Sequence, residues 1–279
     1  MGNVVQAGEG QAPARQSGIG AGIPATVSAT TINKVCGSGL KAAIMSAQAI
    51  RAGDADLFVA GGFESMSRAP YLINGRMGEL KFGNTQMTDA LLNDGLWDPF
   101  EKWGMGSAAE FIADEYEVTR EAMDQFALQS HQKAVAAQEA GKFKLEIVPV
   151  QIPGRKGEVT VVDQDECPRK DSSLELLAKL KPAFKADGKV TPGNSSPMND
   201  GGAAVVLASR TYAEKNNLKP IAKIVGYAQA ALDPKYLFAA PAYAIPKLLI
   251  RIGWKLSDVD LIELNEAFAA QVLADGYAL

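Results

Sequence analysis

The sequence predicts an α/β fold, because strand-like apolar runs alternate with a helical stripe of small and apolar residues. Val27–Val35 has the composition of a strand, Leu40–Ile50 repeats its apolar residues at helical spacing, and Asp56–Gly62 is typical of a fully buried strand. Strand, helix and strand with short connections indicate a βαβ unit with a right-handed crossover. Helices are then expected on both faces of a mostly buried sheet.

The other elements are predicted from caps, glycine stops and apolar runs. Thr119 is a candidate N-cap for a helix within 114–141, which Gly141 ends. Residues 68–105 show no sustained periodicity and predict long loops. The remaining predictions are helices at Arg15–Gly22, Leu174–Leu180, Ser209–Asn217, Pro241–Gly253 and Glu266–Ala274, and strands at Glu146–Ile152, Glu158–Val162, Gly201–Ala208 (buried), Ile221–Ala228 and Val259–Leu264.

Composition excludes several classes of protein. The 279 residues are 47% hydrophobic and 22% charged, with a net charge of −4, which argues against a general nucleic-acid binder. No apolar run is long enough to span a bilayer, so we expect no membrane partner. Cys36 and Cys167 lie in different contexts and do not make a disulfide framework, which favours a reducing compartment, the cytoplasm or an organelle matrix.

The most informative stretch surrounds Cys36. The thiol lies where a strand gives way to a helix, and Gly37 and Gly39 follow it directly. Helix N-terminal N–H groups favour a thiolate, and glycines let backbone and substrate approach closely. This pattern predicts a nucleophile. A lone cysteine is also commonly a small buried hydrophobe, which is the alternative.

Four separated motifs resemble those of the thiolases, the acyl-CoA C-acyltransferases, and they occur in the order found in that family. They are Asn33–Gly39 with the active cysteine, Ala60–Ser67, Gly193–Ala203 and Asn265–Gln271. The resemblance covers essentially the whole chain. It implies thiolysis of a 3-ketoacyl-CoA or the reverse Claisen condensation of acyl-CoAs, with coenzyme A or acyl-CoA as substrate, no bound cofactor and a role in fatty acid metabolism.

The resemblance also implies a thiolase-like fold of repeated βαβαβ halves in αβαβα layers, with an inserted loop/lid domain. The expected domains are 1–67 plus 196–218 (N-terminal half), 68–195 (loop/lid) and 219–279 (start of the C-terminal half). Asp260–Ala267 can be laid beside Met1–Ala7 as a weak internal repeat, and a strand and helix precede only the second copy. We therefore expect a chain incomplete at both ends; a divergent member with rewired ends is the alternative.

Two catalytic residues follow from the family motifs. Cys36 is the expected nucleophile, which would accept the acyl group from acyl-CoA. Asn265 matches the asparagine that orients a water near the thioester oxygen. From the residues alone, the favoured interpretation of Asn265 is the N-cap of the helix Glu266–Ala274, and both roles can hold together.

Five further positions match residues near the substrate in thiolases. Ser196 would bond the pantetheine amide, Met105 would lie beside the thioester, and Phe268 would line the pantetheine arm. Arg169 and Phe184 would lie near the nucleotide and arm of coenzyme A. The simpler alternatives are a polar turn for Ser196, core packing for Met105 and Phe268, and a surface charge for Arg169.

Some family features have no match in these residues. The family's Gly-His-Pro base and Cys-x-Gly-Gly second cysteine are absent, so we expect no full turnover from this chain alone. His131, the single histidine, is expected on a helix surface, and Cys167 in a loop. Gly104 stands where biosynthetic thiolases often have histidine, which leaves room for longer acyl chains. No spacing predicts a metal site.

Three other functions remain open at this point. A ketoacyl synthase is a related condensing enzyme, although Asn265–Gln271 fits thiolases better. A non-catalytic acyl-CoA-binding or lipid-binding remnant would bind coenzyme A without turnover. A hydrolase that pairs Cys36 with His131 would need the two groups within hydrogen-bond reach. As thiolases form dimers through the strand that precedes the cysteine, we expect a homodimer or homotetramer.

Overall fold

The computed structural model describes residues 1–76 and 80–279, with the side chain of Lys156 excepted. Residues 77–79, inside the predicted loops, lie outside this description. Helices are α1 (Pro13–Gly20), α2 (Ser38–Ala52), α3 (Met105–Glu115), α4 (Arg120–Glu139), α5 (Leu174–Ala178), α6 (Arg210–Lys215), α7 (Ala240–Ile252) and α8 (Ala269–Ala278). Strands are β1 (Leu57–Ser65), β2 (Tyr71–Leu72), β3 (Thr88–Asp89), β4 (Trp97–Asp98), β5 (Trp103–Gly104), β6 (Val150–Pro153), β7 (Val159–Val162) and β8 (Asp200–Ala208).

The chain divides into two compact units. Unit 1 comprises Met1–Met105, Met198–Gln229 and Lys247–Trp254, and unit 2 comprises Gly106–Pro197, Ala230–Pro246 and Lys255–Leu279. The domain boundaries expected from the family resemblance are a different kind of division, and they stay a prediction.

The sheet of unit 1 carries the cysteine segment. β1 pairs antiparallel with β8 over its whole length, from Leu57 opposite Ala208 to Ser65 opposite Asp200. Gly2 forms parallel bridges to Ile32 on one side and Gly62 on the other. The segment that leads to the cysteine therefore lies parallel to β1, with the start of the chain between them, as in a βαβ unit.

Helix α2 covers one face of this sheet. Ala42 and Ala47 pack with Ala60 of β1 and Leu207 of β8, and Ile32 packs against the same cluster. Small side chains on α2 let the helix approach the sheet closely, and this apolar contact stabilises the strand–helix–strand unit.

Several sequence predictions are confirmed. Thr119 caps α4 by accepting a hydrogen bond from the Ala122 N–H at 3.2 Å. Gly141 ends the helix region with φ +65°, which glycine adopts at low cost. The predicted hairpin is β6 paired antiparallel with β7. The helices at Leu174, Ser209 and Pro241 form within a few residues of their predicted bounds.

Other predictions are wrong. Residues 221–228 and 259–264 form no strand in the described chain, and Val27–Val35 has only isolated bridges there, from Ile32 to Gly2 and from Lys34 to Cys36. β1 and β8 are not fully buried: Leu57, Val59 and Val206 are exposed. A run of apolar and β-branched residues favours extended backbone, but a strand forms only where a second backbone lies alongside and supplies hydrogen-bond partners.

Unit 2 is organised around α4. Ala127 and Leu128 of this helix pack against Leu177 of α5. A second anchor lies in α3, where the buried Glu110 carboxylate accepts hydrogen bonds from the N–H groups of Lys189 and Val190 at 2.8–2.9 Å. These contacts fix the segment that approaches the Gly193–Ala203 motif.

We predict that Gly61→Ala destabilises the protein by about 3 kcal/mol. A Cβ at this position, where φ is +158°, would collide with the carbonyl oxygen of Ala203 on the neighbouring strand. Urea denaturation measures the loss. Gly20→Ala is the control, since a Cβ there meets nothing within 4 Å and the residue ends α1. Equal stability of the two variants would contradict the packing described for β1 and β8.

Candidate active site

Cys36 lies in a tight turn that leads into α2. The Gly37 N–H donates to the Lys34 carbonyl, and the Ser38 N–H donates to the Val35 carbonyl, both at 3.1 Å. Val35 has φ +47°, in the left-handed region that a β-branched residue rarely adopts. The strained conformation at Val35 turns the chain sharply, so that Cys36 precedes the first turn of the helix.

Two polar side chains hold this turn. The Ser38 hydroxyl accepts from the Lys34 N–H at 2.8 Å and donates to the Val35 carbonyl at 2.6 Å. Asn33 Oδ1 accepts from the Val35 N–H at 2.9 Å. Each bond satisfies a backbone group of the strained residue or its neighbour, which offsets the cost of the unusual conformation.

Glycines seat the start of α2 against the sheet. A Cβ on Gly2 would lie 2.6 Å from Ser38 Cβ, and a Cβ on Gly39 would lie 3.6 Å from the backbone of Gly61 and Gly62. Gly2 is therefore the position where a Cβ has no room, whereas a Cβ on Gly37 or Gly39 would lie at ordinary contact distance, 3.5–3.6 Å, from its nearest neighbour. The expected role of Gly37 and Gly39 in close approach stays a prediction.

The Cys36 thiol differs from expectation in its acidity. Cys36 is exposed as a residue. Surrounding protein atoms nevertheless desolvate the sulfur, and this burial raises the pKa of the Cys36 thiol above its ordinary value, although a backbone hydrogen bond at Cys36 lowers it in part. The sequence predicted a thiolate favoured by the helix start; the shift has the opposite direction, so the resting group is the neutral thiol.

In unit 2 the Gly193–Ala203 motif meets the Asn265–Gln271 motif. The Ser196 N–H donates to the Ala267 carbonyl, and the Ala269 N–H donates to the Asn194 carbonyl, both at 3.0 Å. Ser195 and Phe268 form an antiparallel bridge between these two bonds. The pairing brings Ser196 next to Phe268 and fixes the backbone of both.

Three phenylalanine rings form a cluster on this pairing. The Phe184 and Phe268 rings meet edge to face at 6.3 Å between centroids, and Phe238 meets Phe268 at 5.5 Å. Gly106 leaves the space that Phe184 fills, since a Cβ there would collide with the ring. The structure therefore brings Phe184, Ser196 and Phe268 together, and it adds Phe238, which sequence reasoning missed because nothing distinguished it from ordinary core.

A buried polar network supports the Ser196 loop. Asp124 of α4 accepts from the Asn194 Nδ2 at 2.9 Å and from the Arg120 Nε at 2.8 Å. Asn194 Oδ1 accepts from the Thr191 N–H at 2.8 Å, and the Ser195 hydroxyl donates to the Thr191 carbonyl at 2.7 Å. The Asn194 side chain thus holds the loop through both of its polar atoms, with Nδ2 bonded to Asp124 and Oδ1 bonded to Thr191.

The other predicted residues are less tightly held. Asn265 is exposed and lies outside any helix or strand, and because α8 begins at Ala269 its interpretation as the N-cap of a helix from Glu266 is wrong. The pairing of Ser195 with Phe268 delays the helix start. Met105 is half-buried and opens α3.

His131 of α4 has a structural contact. Its Nδ1 accepts from the Arg169 backbone N–H at 3.2 Å, while the Arg169 residue itself is exposed. Burial lowers the pKa of His131, and the Arg169 charge adds to this effect. A neutral ring that accepts at Nδ1 ties α4 to the loop that contains the half-buried Cys167.

Asp275 of α8 is a buried carboxyl outside the predicted set. Its Oδ1 accepts from the Ala242 N–H in the first turns of α7 at 3.2 Å, and its Oδ2 accepts from the Gln271 Nε2 at 2.6 Å. Burial raises the pKa of Asp275 to about 6, more than these two bonds lower it. Gln271 Oε1 is buried without a hydrogen-bond partner in the described chain.

Within residues 1–76 and 80–279 no group of three or more His, Cys, Asp or Glu side chains could hold a metal ion. In the same residues, no helix has the length and apolar character needed to cross a membrane.

Comparison with known proteins identifies the class to which this fold and cysteine turn belong. The family model for the thiolase N-terminal domain matches residues 1–211, and the model for the thiolase C-terminal domain matches residues 218–279. The chain belongs to the thiolase family, which decides between the thiolases and the related ketoacyl synthases.

Named relatives agree with this assignment. The acetyl-CoA acetyltransferase of Pseudomonas aeruginosa is 52% identical over 279 residues, 100% of this chain and 71% of the relative. That of Chromobacterium violaceum is 51% identical over 273 residues, 98% of this chain and 70% of the relative. The crystal structure of the Bacillus anthracis acetyl-CoA acetyltransferase superposes with a TM-score of 0.94 at 42% identity, over 99% of this chain and 69% of that chain. The predicted α/β thiolase-like fold is confirmed.

We predict that alkylation of Cys36 by iodoacetamide accelerates with pH, with a midpoint above the ordinary thiol value of about 8.5. The reason is the burial that raises the pKa of the Cys36 thiol. Peptide mass spectrometry at each pH gives the rate at Cys36 and at Cys167, which is the internal reference. A Cys36 midpoint below the ordinary value would mean that the helix start dominates over burial.

We predict that Asp275 lowers stability as pH rises from about 4 to about 6. The folded state holds its proton more tightly than the unfolded chain does, because the folded pKa of about 6 exceeds the usual value of 3.8. Asp275→Asn should remove this loss, about 3 kcal/mol, because the asparagine side chain does not titrate between pH 4 and 6. Urea denaturation of both proteins at pH 4, 5, 6 and 7 measures the difference. A difference that does not grow between pH 4 and 6 refutes the assignment.

Proposed function

We propose that this protein is an acyl-CoA C-acyltransferase that uses Cys36 as the acyl acceptor. The reaction is thiolysis of a 3-ketoacyl-CoA or the reverse condensation of acyl-CoAs, with coenzyme A as a substrate rather than a resident cofactor. The observation that carries the proposal is an exposed cysteine residue, Cys36, in a strained turn directly before α2. The relatives named acetyl-CoA acetyltransferase support it.

The first half-reaction is transfer of the acyl group to Cys36. The sulfur attacks the thioester carbonyl, a new carbon–sulfur bond forms, and the bond to the sulfur of coenzyme A breaks. The thiol proton ends on the departing coenzyme A sulfur. Because burial raises the pKa of Cys36, a base must take that proton as the attack begins.

The tetrahedral intermediate needs donors for its oxyanion. The Cys36 backbone N–H is one candidate. Asn265 is the proposed holder of a water near the same oxygen, and its exposed side chain makes no hydrogen bond to residues 1–76 or 80–279 that would compete with this role.

In the proposed site, five residues near the substrate contact different parts of coenzyme A. The Ser196 backbone is committed to Ala267, but its exposed hydroxyl makes no bond within the described residues and is available to a pantetheine amide. Phe184 and Phe268 present ring surface to the arm, Met105 lies beside the thioester, and Arg169 offers an exposed charge to the phosphates.

The second half-reaction is proposed to fail in the 279-residue chain. The family's histidine base and second cysteine have no matching motif here, and His131 already accepts a hydrogen bond at Nδ1. The alternative function, acyl-CoA binding without turnover, is favoured by the raised pKa of Cys36.

The assembly and location stay proposals as well. We expect a homodimer or homotetramer that forms along the segment before Cys36, which among the described residues has only isolated bridges, from Ile32 to Gly2 and from Lys34 to Cys36. An unpaired extended edge is a template for association. The free cysteines fit a reducing compartment, the cytoplasm or an organelle matrix. A role in fatty acid metabolism is what the family resemblance implies.

We predict that incubation with acetyl-CoA adds one acetyl group to Cys36, slowly, because the thiol is mostly neutral at pH 7. Peptide mass spectrometry locates the group. Cys36→Ala should abolish the modification and Cys167→Ala should leave it unchanged.

Acetylation at Cys167 in preference to Cys36 would refute the assigned nucleophile. Measurable thiolysis of acetoacetyl-CoA by the 279-residue chain would refute the proposed lack of a second half-reaction. Binding of coenzyme A without any acylation would favour the non-catalytic alternative.

A further inference from the structure

Phe238 is a buried ring to which no motif assigns a role. It belongs to the short 3₁₀ helix Pro234–Ala239 that precedes α7, and it is 9% exposed. Its ring contacts the Phe268 ring edge to face, with 5.5 Å between centroids and 71° between planes. Edge-to-face contact is a directional interaction, so the two rings constrain each other's tilt.

The backbone of Phe268 is already fixed. Its neighbours Ala267 and Ala269 are bonded to Ser196 and Asn194, and Phe268 itself is bridged to Ser195. What remains free is the rotation of the side chain about its own torsion angles. The ring that contacts Phe268 from the interior therefore decides where the Phe268 ring points.

The two rings beside Phe268 differ in how firmly they are held. Phe184 is 47% exposed, although its ring lies against Gly106 and meets the Phe268 ring edge to face. Phe238 is enclosed. A half-exposed ring adapts to a ligand, whereas a buried ring in a close-packed interior keeps its rotamer.

We propose that Phe238 is a positioning residue for the coenzyme A site: it fixes the orientation of Phe268 and so shapes the apolar wall along the pantetheine arm. This inference rests on the proposed function, in which Phe268 contacts that arm. Phe238 does not touch the substrate in this account. It acts through Phe268, and its loss widens the range of tilts that the Phe268 ring samples.

The test is Phe238→Leu, which keeps an apolar side chain but removes the ring edge. Phe111→Leu is the matched control, because Phe111 makes the same kind of edge-to-face contact with Tyr236 at 5.4 Å outside the three-ring cluster. Calorimetry measures the dissociation constants of coenzyme A and of adenosine 3′,5′-bisphosphate, which lacks the arm. Phe238→Leu should weaken coenzyme A binding by about three- to tenfold and leave the bisphosphate unchanged.

Each other outcome has a distinct meaning. Unchanged coenzyme A affinity in Phe238→Leu, or an equal loss for both ligands, overturns the positioning role. The same arm-specific loss in Phe111→Leu also overturns it, because the effect would then be general to the unit. If the unaltered protein binds no coenzyme A, the proposed function fails and this inference with it. If Phe238→Leu does not fold by near-ultraviolet circular dichroism, Phe238→Met gives the same comparison with closer volume.

Discussion

The six-residue turn from Asn33 to Ser38 is the constraint on which the rest of unit 1 depends. It holds a β-branched residue at φ +47° and satisfies that residue's backbone with the side chains of Asn33 and Ser38. Strain of this kind persists only where neighbouring bonds over-determine it. As a consequence, the chain bends at Val35 and places the Cys36 thiol at the start of α2. The first residues of α2 also pack closely against the backbone of Gly2.

In unit 2 a rigid backbone presents the polar and aromatic side chains of the proposed coenzyme A site. The buried Asp124 links Arg120 and Asn194, so the Ser196 loop is anchored to the longest helix of the unit. Pairing with Ala267–Ala269 then fixes Phe268. The Ser196 hydroxyl, which has no partner among the described residues, and the Phe268 ring are thereby presented from backbone that hydrogen bonds hold in place.

Local features of this chain could be predicted from sequence and non-local ones could not. Helix α2, the Thr119 cap and the β6–β7 hairpin follow from spacing and caps within a few residues. The exposure of Val206 and the missing strand at 221–228 depend on which backbone lies alongside, which no local pattern specifies. The raised pKa of Cys36 reflects burial of the thiol, which a local sequence pattern does not specify. Phe184 and Ser196 entered only through family resemblance, and Phe238 entered only with the structure.

Protection of Cys36 by coenzyme A tests the central claim most directly. The claim is that the Cys36 thiol, in the turn from Asn33 to Ser38, attacks the thioester carbonyl of the substrate. Alkylation of Cys36 and Cys167 is timed with and without saturating coenzyme A, whose binding is measured in parallel. The account predicts that coenzyme A slows alkylation of Cys36 and leaves Cys167 unchanged. Bound coenzyme A that leaves Cys36 as reactive as before, or slows both cysteines equally, would contradict it.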